Sequence, residues 1–102
     1  MRKCRITAMR KAAYTDLMAL YENPIEDACL IREGQVFWTD GSEKPEGLCD
    51  SAWETMLPFL QALLAGKEAI YEGWMKDPHT ALVSCNDGFR PVSFYLEVVE
   101  ED

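Results

Sequence analysis

The chain begins with a regular alternation of residue types over residues 3–9. Cys4, Ile6 and Ala8 alternate with Arg5, Thr7 and Met9. Alternation with a period of two predicts a β-strand with one buried face. A second strand is indicated over residues 34–39, which are rich in β-branched and aromatic residues and are followed by Asp40-Gly41-Ser42.

Two further strands are predicted near the end of the chain, over residues 80–85 and 91–99. In the second of these, Val92, Phe94, Leu96 and Val98 share one face. The turn-forming run Asn86-Asp87-Gly88 separates the two segments, which indicates an antiparallel hairpin. The basic first strand and the acidic final strand are expected to pair, because opposite charges across neighbouring strands are stabilising.

Helical patterns lie between these strands. A short helix is expected over residues 16–22, with Thr15 as its cap and Asn23-Pro24 as its end. The main helix should start at a capping box formed by Ser51 and Glu54. Behind it runs an apolar stripe of Trp53, Met56, Leu57, Leu60, Leu63 and Leu64.

This helix should kink or restart at Pro58 and stop at Gly66, because proline donates no backbone hydrogen bond and glycine favours a helix C-terminus. In the connection over residues 67–79, Tyr71, Trp74 and Met75 are expected to turn inward. Together the patterns predict one small α+β domain spanning residues 1–102. Its antiparallel sheet of about four strands should pack against one main helix plus a short helix.

Charge narrows the classes of function. The net charge is −8, although five of the ten cations fall within the first eleven residues. An acidic surface repels a phosphate backbone, so no nucleic-acid partner is expected. The first residues lack the apolar stretch of a signal peptide, and no run is long enough to span a bilayer, so no membrane contact and a cytoplasmic location are expected. In that compartment thiols stay reduced.

Three cysteines fall at predicted element boundaries, where functional side chains collect. Cys29 lies in a loop (24–32), Cys49 just before the main helix and Cys85 at the end of a strand. The helix dipole would favour a thiolate at Cys49. Cys4, on the inward face of the first strand, is expected to pack as a small apolar residue. Packing is also an open alternative for the other three, because no CxxC spacing is present.

His79 is the only histidine, and it is a candidate fourth ligand beside the three thiols or an exposed surface residue. The aromatic residues would either line a pocket for a flat ligand or form the core, and the core is the preferred interpretation. No GxSxG, P-loop or HExxH motif is present, so no catalytic residue is assigned.

The motifs fall in a recognisable order along the chain. They are Cys29, Glu33-Gly34-Gln35-x-Phe37, Lys44-Pro45-Glu46-Gly47-x-Cys49-x-x-Ala52-Trp53, Trp74-x-x-Asp77-Pro78 and Ser84-Cys85-x-Asp87-Gly88-x-Arg90-Pro91-Val92. This set resembles a family of small proteins of anaerobic, clostridial-type bacteria that has no established activity. The resemblance implies a shared thiol site at Cys29, Cys49 and Cys85, with Cys4 outside it.

The leading hypothesis is therefore a small accessory protein whose three thiols bind a soft metal ion or act in redox chemistry. Thiolates suit zinc, copper(I) or an iron–sulfur cluster. One alternative is a protein–protein interaction module or homo-oligomer that uses apolar surface around Trp38, Trp74 or the helix face at 59–64. Another is a small enzyme or ligand-binding domain with Cys49 as a reactive thiolate.

Overall fold

The structure is a computed structural model that describes residues 2–26, 28–68 and 70–100. Its sheet contains β1 (Arg2–Lys11), β2 (Val36–Thr39), β3 (Thr80–Ser84) and β4 (Val92–Glu100), in the order β2-β1-β4-β3. Every neighbouring pair is antiparallel. With the helices α1 (Thr15–Tyr21) and α2 (Asp50–Leu64), this confirms the predicted α+β fold. The loops predicted at 24–32 and 67–79 include Asp27 and Ala69, which lie outside the described residues.

The pairing of β1 with β4 is the longest in the sheet and extends from Arg2 opposite Glu100 to Lys11 opposite Val92. Two ion pairs cross it, as the charge pattern predicted. The Arg2 Nε atom lies 2.6 Å from a Glu100 carboxylate oxygen, and Arg5 donates two hydrogen bonds of 3.0 Å to Glu97. The Arg2 guanidinium lowers the pKa of Glu100 through this hydrogen bond.

The core lies between one face of the sheet and α2. Cys4, Ile6 and Ala8 of β1 are buried, as the alternation predicted, and they pack with the buried residues of α2, which are Ala52, Met56, Leu60 and Leu63. Burial raises the pKa of the Cys4 thiol to about 11, so this thiol is protonated at neutral pH. Cys4 therefore acts as a packing residue, as expected.

The start of α2 differs from the predicted capping box. The N-cap is Cys49, so Ser51 lies within the first turn, where its carbonyl accepts a hydrogen bond from the Thr55 hydroxyl. The helix also continues through Pro58, so it does not restart there, and the alternative expectation of a kink stays a prediction. Packing of the apolar stripe on the sheet outweighs the local preference of proline, because most helix stability in proteins comes from such packing.

The predicted stop of α2 at Gly66 is confirmed. Gly66 has a φ of +89°, its N–H donates to the Leu63 carbonyl, and the Lys67 N–H donates to the Ala62 carbonyl. These two bonds are those of a Schellman motif, in which a left-handed glycine ends the helix. The Arg2 guanidinium donates to the Leu64 carbonyl at the same end, so α2 ends beside the start of β1.

Helix α1 differs from α2 in how it is held. Its N-cap is Tyr14 rather than the predicted Thr15, no side chain caps it, and none of its residues is buried.

The protein measures 47 × 29 × 20 Å, and its radius of gyration is 14.6 Å. A compact domain of 100 residues has a radius of gyration of about 13 Å. The domain is therefore compact but elongated along one axis. In the described part of the chain, neither helix has the length and apolar character needed to cross a bilayer.

The packing of α2 gives a direct test of the core. Leu60 is fully buried, whereas its neighbour Gln61 is exposed. We expect Leu60→Ala to lower the free energy of unfolding by about 2–5 kcal/mol, because it leaves a cavity between helix and sheet. Gln61→Ala should change it by less than about 0.5 kcal/mol. Urea denaturation followed by circular dichroism measures both, and equal losses would contradict this view of the core.

Candidate functional site

The fold brings the three candidate cysteines toward the same end of the sheet. Cys85 follows β3 and pairs with Val92, the first residue of β4, which lies opposite Lys11 at the end of β1. The Lys11 ammonium donates to the Cys29 carbonyl at 2.9 Å, which ties the Cys29 loop to this end. Because α2 ends beside Arg2, its first residues, next to Cys49, lie toward the Lys11 end as well.

Cys29 and Cys49 line one cavity of about 270 Å³. The remaining lining residues are Ala28, Leu30, Ile31, Gly47 and Leu48. Cys29 is half-buried, whereas Cys49 is exposed at the N-cap of α2 without capping the helix through its side chain. Lys11 fixes one wall of this cavity, because its ammonium also donates to the Ile31 carbonyl. These two cysteines therefore share one cavity, in which Cys49 is the more exposed to solvent.

Cys85 is placed differently from the other two. Its sulfur accepts a hydrogen bond from the Val92 N–H at 3.3 Å, and it does not line the cavity that Cys29 and Cys49 share. Among residues 2–26, 28–68 and 70–100, no group of three or more His, Cys, Asp or Glu side chains is arranged to hold a metal ion. The three-thiol site inferred from the sequence thus stays a prediction, and the geometry supports only the pair Cys29 and Cys49.

His79 does not join these thiols. It precedes β3, while Cys85 follows that strand, and six residues of extended chain span about 20 Å. His79 is exposed, and its Nε2 lies 3.6 Å from a Glu68 carboxylate oxygen near the Arg2 end of the sheet. In the structure His79 is therefore an exposed surface residue, and it does not lie beside Cys85 as a fourth ligand would.

Most of the exposed large apolar side chains lie on the segment formed by residues 9–26 and 28–30, which we call the apolar arm. Among the described residues, seven of the eleven exposed large apolar side chains belong to it. They are Met9, Tyr14, Leu17, Leu20, Tyr21, Ile25 and Leu30. Leu20 is 70% exposed and Tyr21 is 77% exposed. Soluble monomers rarely expose contiguous apolar patches of large area, so this concentration of exposed apolar side chains makes the arm a candidate interaction surface.

Polar contacts fix the arm to the loop between β3 and β4. The Tyr14 N–H donates to the Phe89 carbonyl at 2.7 Å, and the Ala12 N–H donates to the Pro91 carbonyl at 2.9 Å. The Arg90 guanidinium, which is mostly buried, forms ion pairs with Glu22 at the end of α1 and with Asp87. The arm is thus held in place while its apolar side chains stay in solvent.

The charge state of Asp87 is tuned by this contact. Desolvation raises the pKa of the Asp87 carboxyl, but hydrogen bonds from the Phe89 and Arg90 N–H groups and from the Arg90 guanidinium outweigh it, so the pKa is lowered overall. Because the carboxylate is stabilised by folding, it contributes stability above the unfolded value of about 3.9, and the contribution disappears as the pH falls through the lower folded value.

A second apolar region lies beside β3. Phe59 and Tyr71 have ring centroids 5.4 Å apart, and Tyr71 and Trp74 have centroids 5.5 Å apart. They border a cavity of about 520 Å³ together with Thr55, Met75 and Leu82. Trp74 is 82% exposed, so the prediction that it turns inward was wrong, whereas Tyr71 and Met75 are half-buried. Trp38 is exposed as well, so the aromatic residues form the core only in part.

Searches against protein-family models, curated proteins and solved structures find no match to this chain. The resemblance suggested by the ordered motifs therefore stays a prediction, and function has to be argued from the site geometry. The sequence analysis missed the arm. A signal was present, because Leu17, Leu20 and Tyr21 recur at i, i+3 and i+4 and give the short helix one apolar face.

The contact between the arm and the β3–β4 loop predicts a specific pH dependence. Asp87→Asn should lower the free energy of unfolding by about 1 kcal/mol at pH 7, because it weakens the hydrogen bonds to Arg90. The difference from the unmodified protein should shrink as the pH falls below about 4, towards the lowered pKa of Asp87. Urea titrations between pH 3 and pH 7 measure this. Glu46→Gln, which removes a charge from an exposed residue, is the control, and parallel curves for Asp87→Asn and the unmodified protein would contradict the prediction.

Proposed function

We propose that the protein is a non-catalytic interaction module that associates with a second copy of itself through the apolar arm. The observation that carries the proposal is the exposure of the arm, in which α1 buries no residue against its own domain. A short helix of this kind gains stability only when its apolar side chains are covered, since its own hydrogen bonds are marginal in water. A partner surface would supply that cover.

The charge of the central part of the arm supports a second copy as the partner. Residues 12–21 contain one charged residue, Asp16, in a chain whose net charge is −8, while the other charges of the arm lie at its two ends, at Arg10, Lys11, Glu22, Glu26 and Asp27. Two copies therefore meet there with little electrostatic repulsion, whereas most other parts of the surface repel each other. A two-fold contact places the same patch of both copies face to face, so apolar patches match without needing complementary charges. Association would also add buried area to a domain of only 102 residues.

Size-exclusion chromatography with light scattering tests this proposal. The unmodified protein should be a dimer or larger oligomer at micromolar concentration, and the double variant Leu20→Glu, Tyr21→Glu should be a monomer, because burying two carboxylates is costly. Val36→Glu is the matched control, since Val36 is exposed on β2 and lies outside the arm. A monomeric unmodified protein, or a double variant that still associates, would remove the proposal.

A thiol site is the second candidate function, and the observation that favours it is the shared cavity of Cys29 and Cys49. Two thiolates are too few for the four-coordinate geometry of a structural zinc site. They suit a soft ion such as copper(I), or reversible oxidation to a disulfide. In either role the reducing cytoplasm would keep the thiols available, and that location, like the absence of a nucleic-acid partner, stays a prediction.

Metal analysis of anaerobically purified protein, combined with a count of free thiols, tests the second candidate. We expect added copper(I) to bind at one equivalent and to protect two thiols from iodoacetamide. Cys49→Ser should abolish this binding, whereas Cys85→Ser should not, because Cys85 does not line the cavity. Equal losses of copper(I) binding in both variants would support the three-thiol site instead. Four thiols that all react freely with iodoacetamide would indicate that the cysteines are packing residues.

A further inference from the structure

Cys29 and Cys49 lie on either side of strand β2 in the chain, and the fold brings both of them to one cavity. Cys29 belongs to the connection between α1 and β2, and Cys49 follows β2 as the N-cap of α2. Both are free cysteines, and both line the same cavity of about 270 Å³. The chain between them therefore forms a loop that contains the whole of β2 and whose two ends meet at this cavity.

The two sides of the cavity differ in how firmly they are held. On one side, Cys49 begins a helix of 15 residues, and its neighbour Leu48 is 2% exposed in the core. On the other side, Cys29 lies in a connection whose described residues form no helix or strand, and its carbonyl accepts a hydrogen bond from the Lys11 ammonium. Ile31, which is 4% exposed, anchors the same connection. Cys49 thus has a fixed position, whereas Cys29 lies on a tethered segment whose backbone can adjust at the cavity.

A disulfide between these cysteines would close the cavity. The bond requires Cα atoms about 4.4–6.8 Å apart, so it would draw the Cys29 segment against the start of α2. Closure is favourable for the walls, because apolar side chains leave water when they come into contact. The apolar residues that line the cavity beside the two cysteines are Ala28, Leu30, Ile31 and Leu48. Leu30 has the most surface to bury, since it is 76% exposed.

The surroundings of the other two cysteines set them apart from this pair. Cys4 is fully buried, and burial raises the pKa of its thiol to about 11, so it is protonated and unreactive near neutral pH. Cys85 does not line the cavity, and its sulfur accepts a hydrogen bond from the Val92 N–H. Cys49 is the most exposed of the four. It is therefore the thiol that an oxidant in solution meets first.

We propose that Cys29 and Cys49 form a reversible disulfide by exchange with a low-molecular-weight disulfide such as oxidised glutathione, and that this bond closes the cavity and stabilises strand β2. The inference rests on the thiol site of the second candidate function, for which it names the oxidant and the structural effect. It does not rest on the contact through the apolar arm.

The exchange takes two steps, each of which replaces one disulfide by another. The Cys49 thiolate attacks one sulfur of oxidised glutathione, so a mixed disulfide forms at Cys49 and one glutathione thiolate leaves. The Cys29 thiolate then attacks the Cys49 sulfur, which forms the internal bond and releases the second glutathione. Two protein thiols are oxidised and one glutathione disulfide is reduced to two thiols. The two protons lost by the cysteines are taken up by the glutathione thiolates.

Strand β2 is the element that this bond would affect most. It is four residues long and lies at one edge of the sheet, where its partner is β1. Two of its side chains, Val36 and Trp38, are exposed. The bond closes a loop of about 20 residues around β2, and a disulfide stabilises mainly by restricting the unfolded loop that it closes. Strand β3, at the other edge of the sheet, lies outside this loop and should not respond.

Exchange with defined mixtures of reduced and oxidised glutathione tests the proposal. We expect the Cys29–Cys49 bond to form in the unmodified protein as the share of oxidised glutathione rises, and to disappear when the reduced form is restored. Acid stops the exchange, iodoacetamide then alkylates the remaining free thiols, and mass spectrometry of peptides locates the bond. Cys85→Ser is the matched control, in which the same bond should form to the same extent.

Two further variants separate the steps of the exchange. Cys29→Ser keeps the attacking thiol but lacks the second one, so it should accumulate the mixed disulfide between Cys49 and glutathione. Cys49→Ser should react with oxidised glutathione at least about tenfold more slowly, because Cys29 is half-buried. Circular dichroism checks that each variant is folded. Glutathione at Cys49 of the unmodified protein without the internal bond would overturn the proposal, as would a bond from either cysteine to Cys85.

The structural effect is measured by comparing the oxidised and reduced protein. Oxidation should raise the melting temperature by about 10 °C, and it should not do so in Cys29→Ser. Hydrogen exchange measured by NMR should slow at the amides of β2 and stay unchanged at those of β3. An unchanged melting temperature, or equal slowing in both strands, would overturn the stabilisation of β2. A protein that binds copper(I) through two thiols but forms no internal disulfide would overturn this inference and leave the thiol site standing.

Discussion

The pairing of β1 with β4 is the constraint on which the rest of the structure depends. It joins the first and last strands of the chain at the centre of the sheet, and the Arg2–Glu100 and Arg5–Glu97 pairs fix its register. Closing so long a loop costs entropy that only extensive pairing and burial offset. Once it forms, β2 and β3 add at the two sides and α2 covers the inward face.

This arrangement explains why the apolar arm stays outside the core. One face of the sheet is already covered by α2, and among the described residues of the long connection between β1 and β2 only Ile31 is buried in the core, with Cys29 packed against it. The chain instead anchors α1 through Arg90 and Glu22, a mostly buried ion pair with a second carboxylate at Asp87. Such a contact specifies position more than it adds stability, because desolvation offsets much of its attraction.

The sequence predicted the parts of the fold that depend on local periodicity. The alternation of Cys4, Ile6 and Ala8, the stripe on α2 and the stop at Gly66 were found as expected, because each reflects one face packed on one core. The start of α2 and the exposure of Trp74 were not, since they depend on tertiary contacts that no local pattern encodes. The sequence identified the cysteines as candidate metal ligands or redox groups, but only the fold shows that Cys29 and Cys49 share a cavity.

The distribution of charge bears on how the protein associates with itself. An acidic protein with a free strand edge and an exposed tryptophan risks association with itself, and net charge is one defence against it. Residues 12–21 of the arm contain one charged residue, Asp16, in a chain whose net charge is −8. The net charge therefore opposes self-association in general, and the proposed contact through the arm is one that two copies would form at little electrostatic cost.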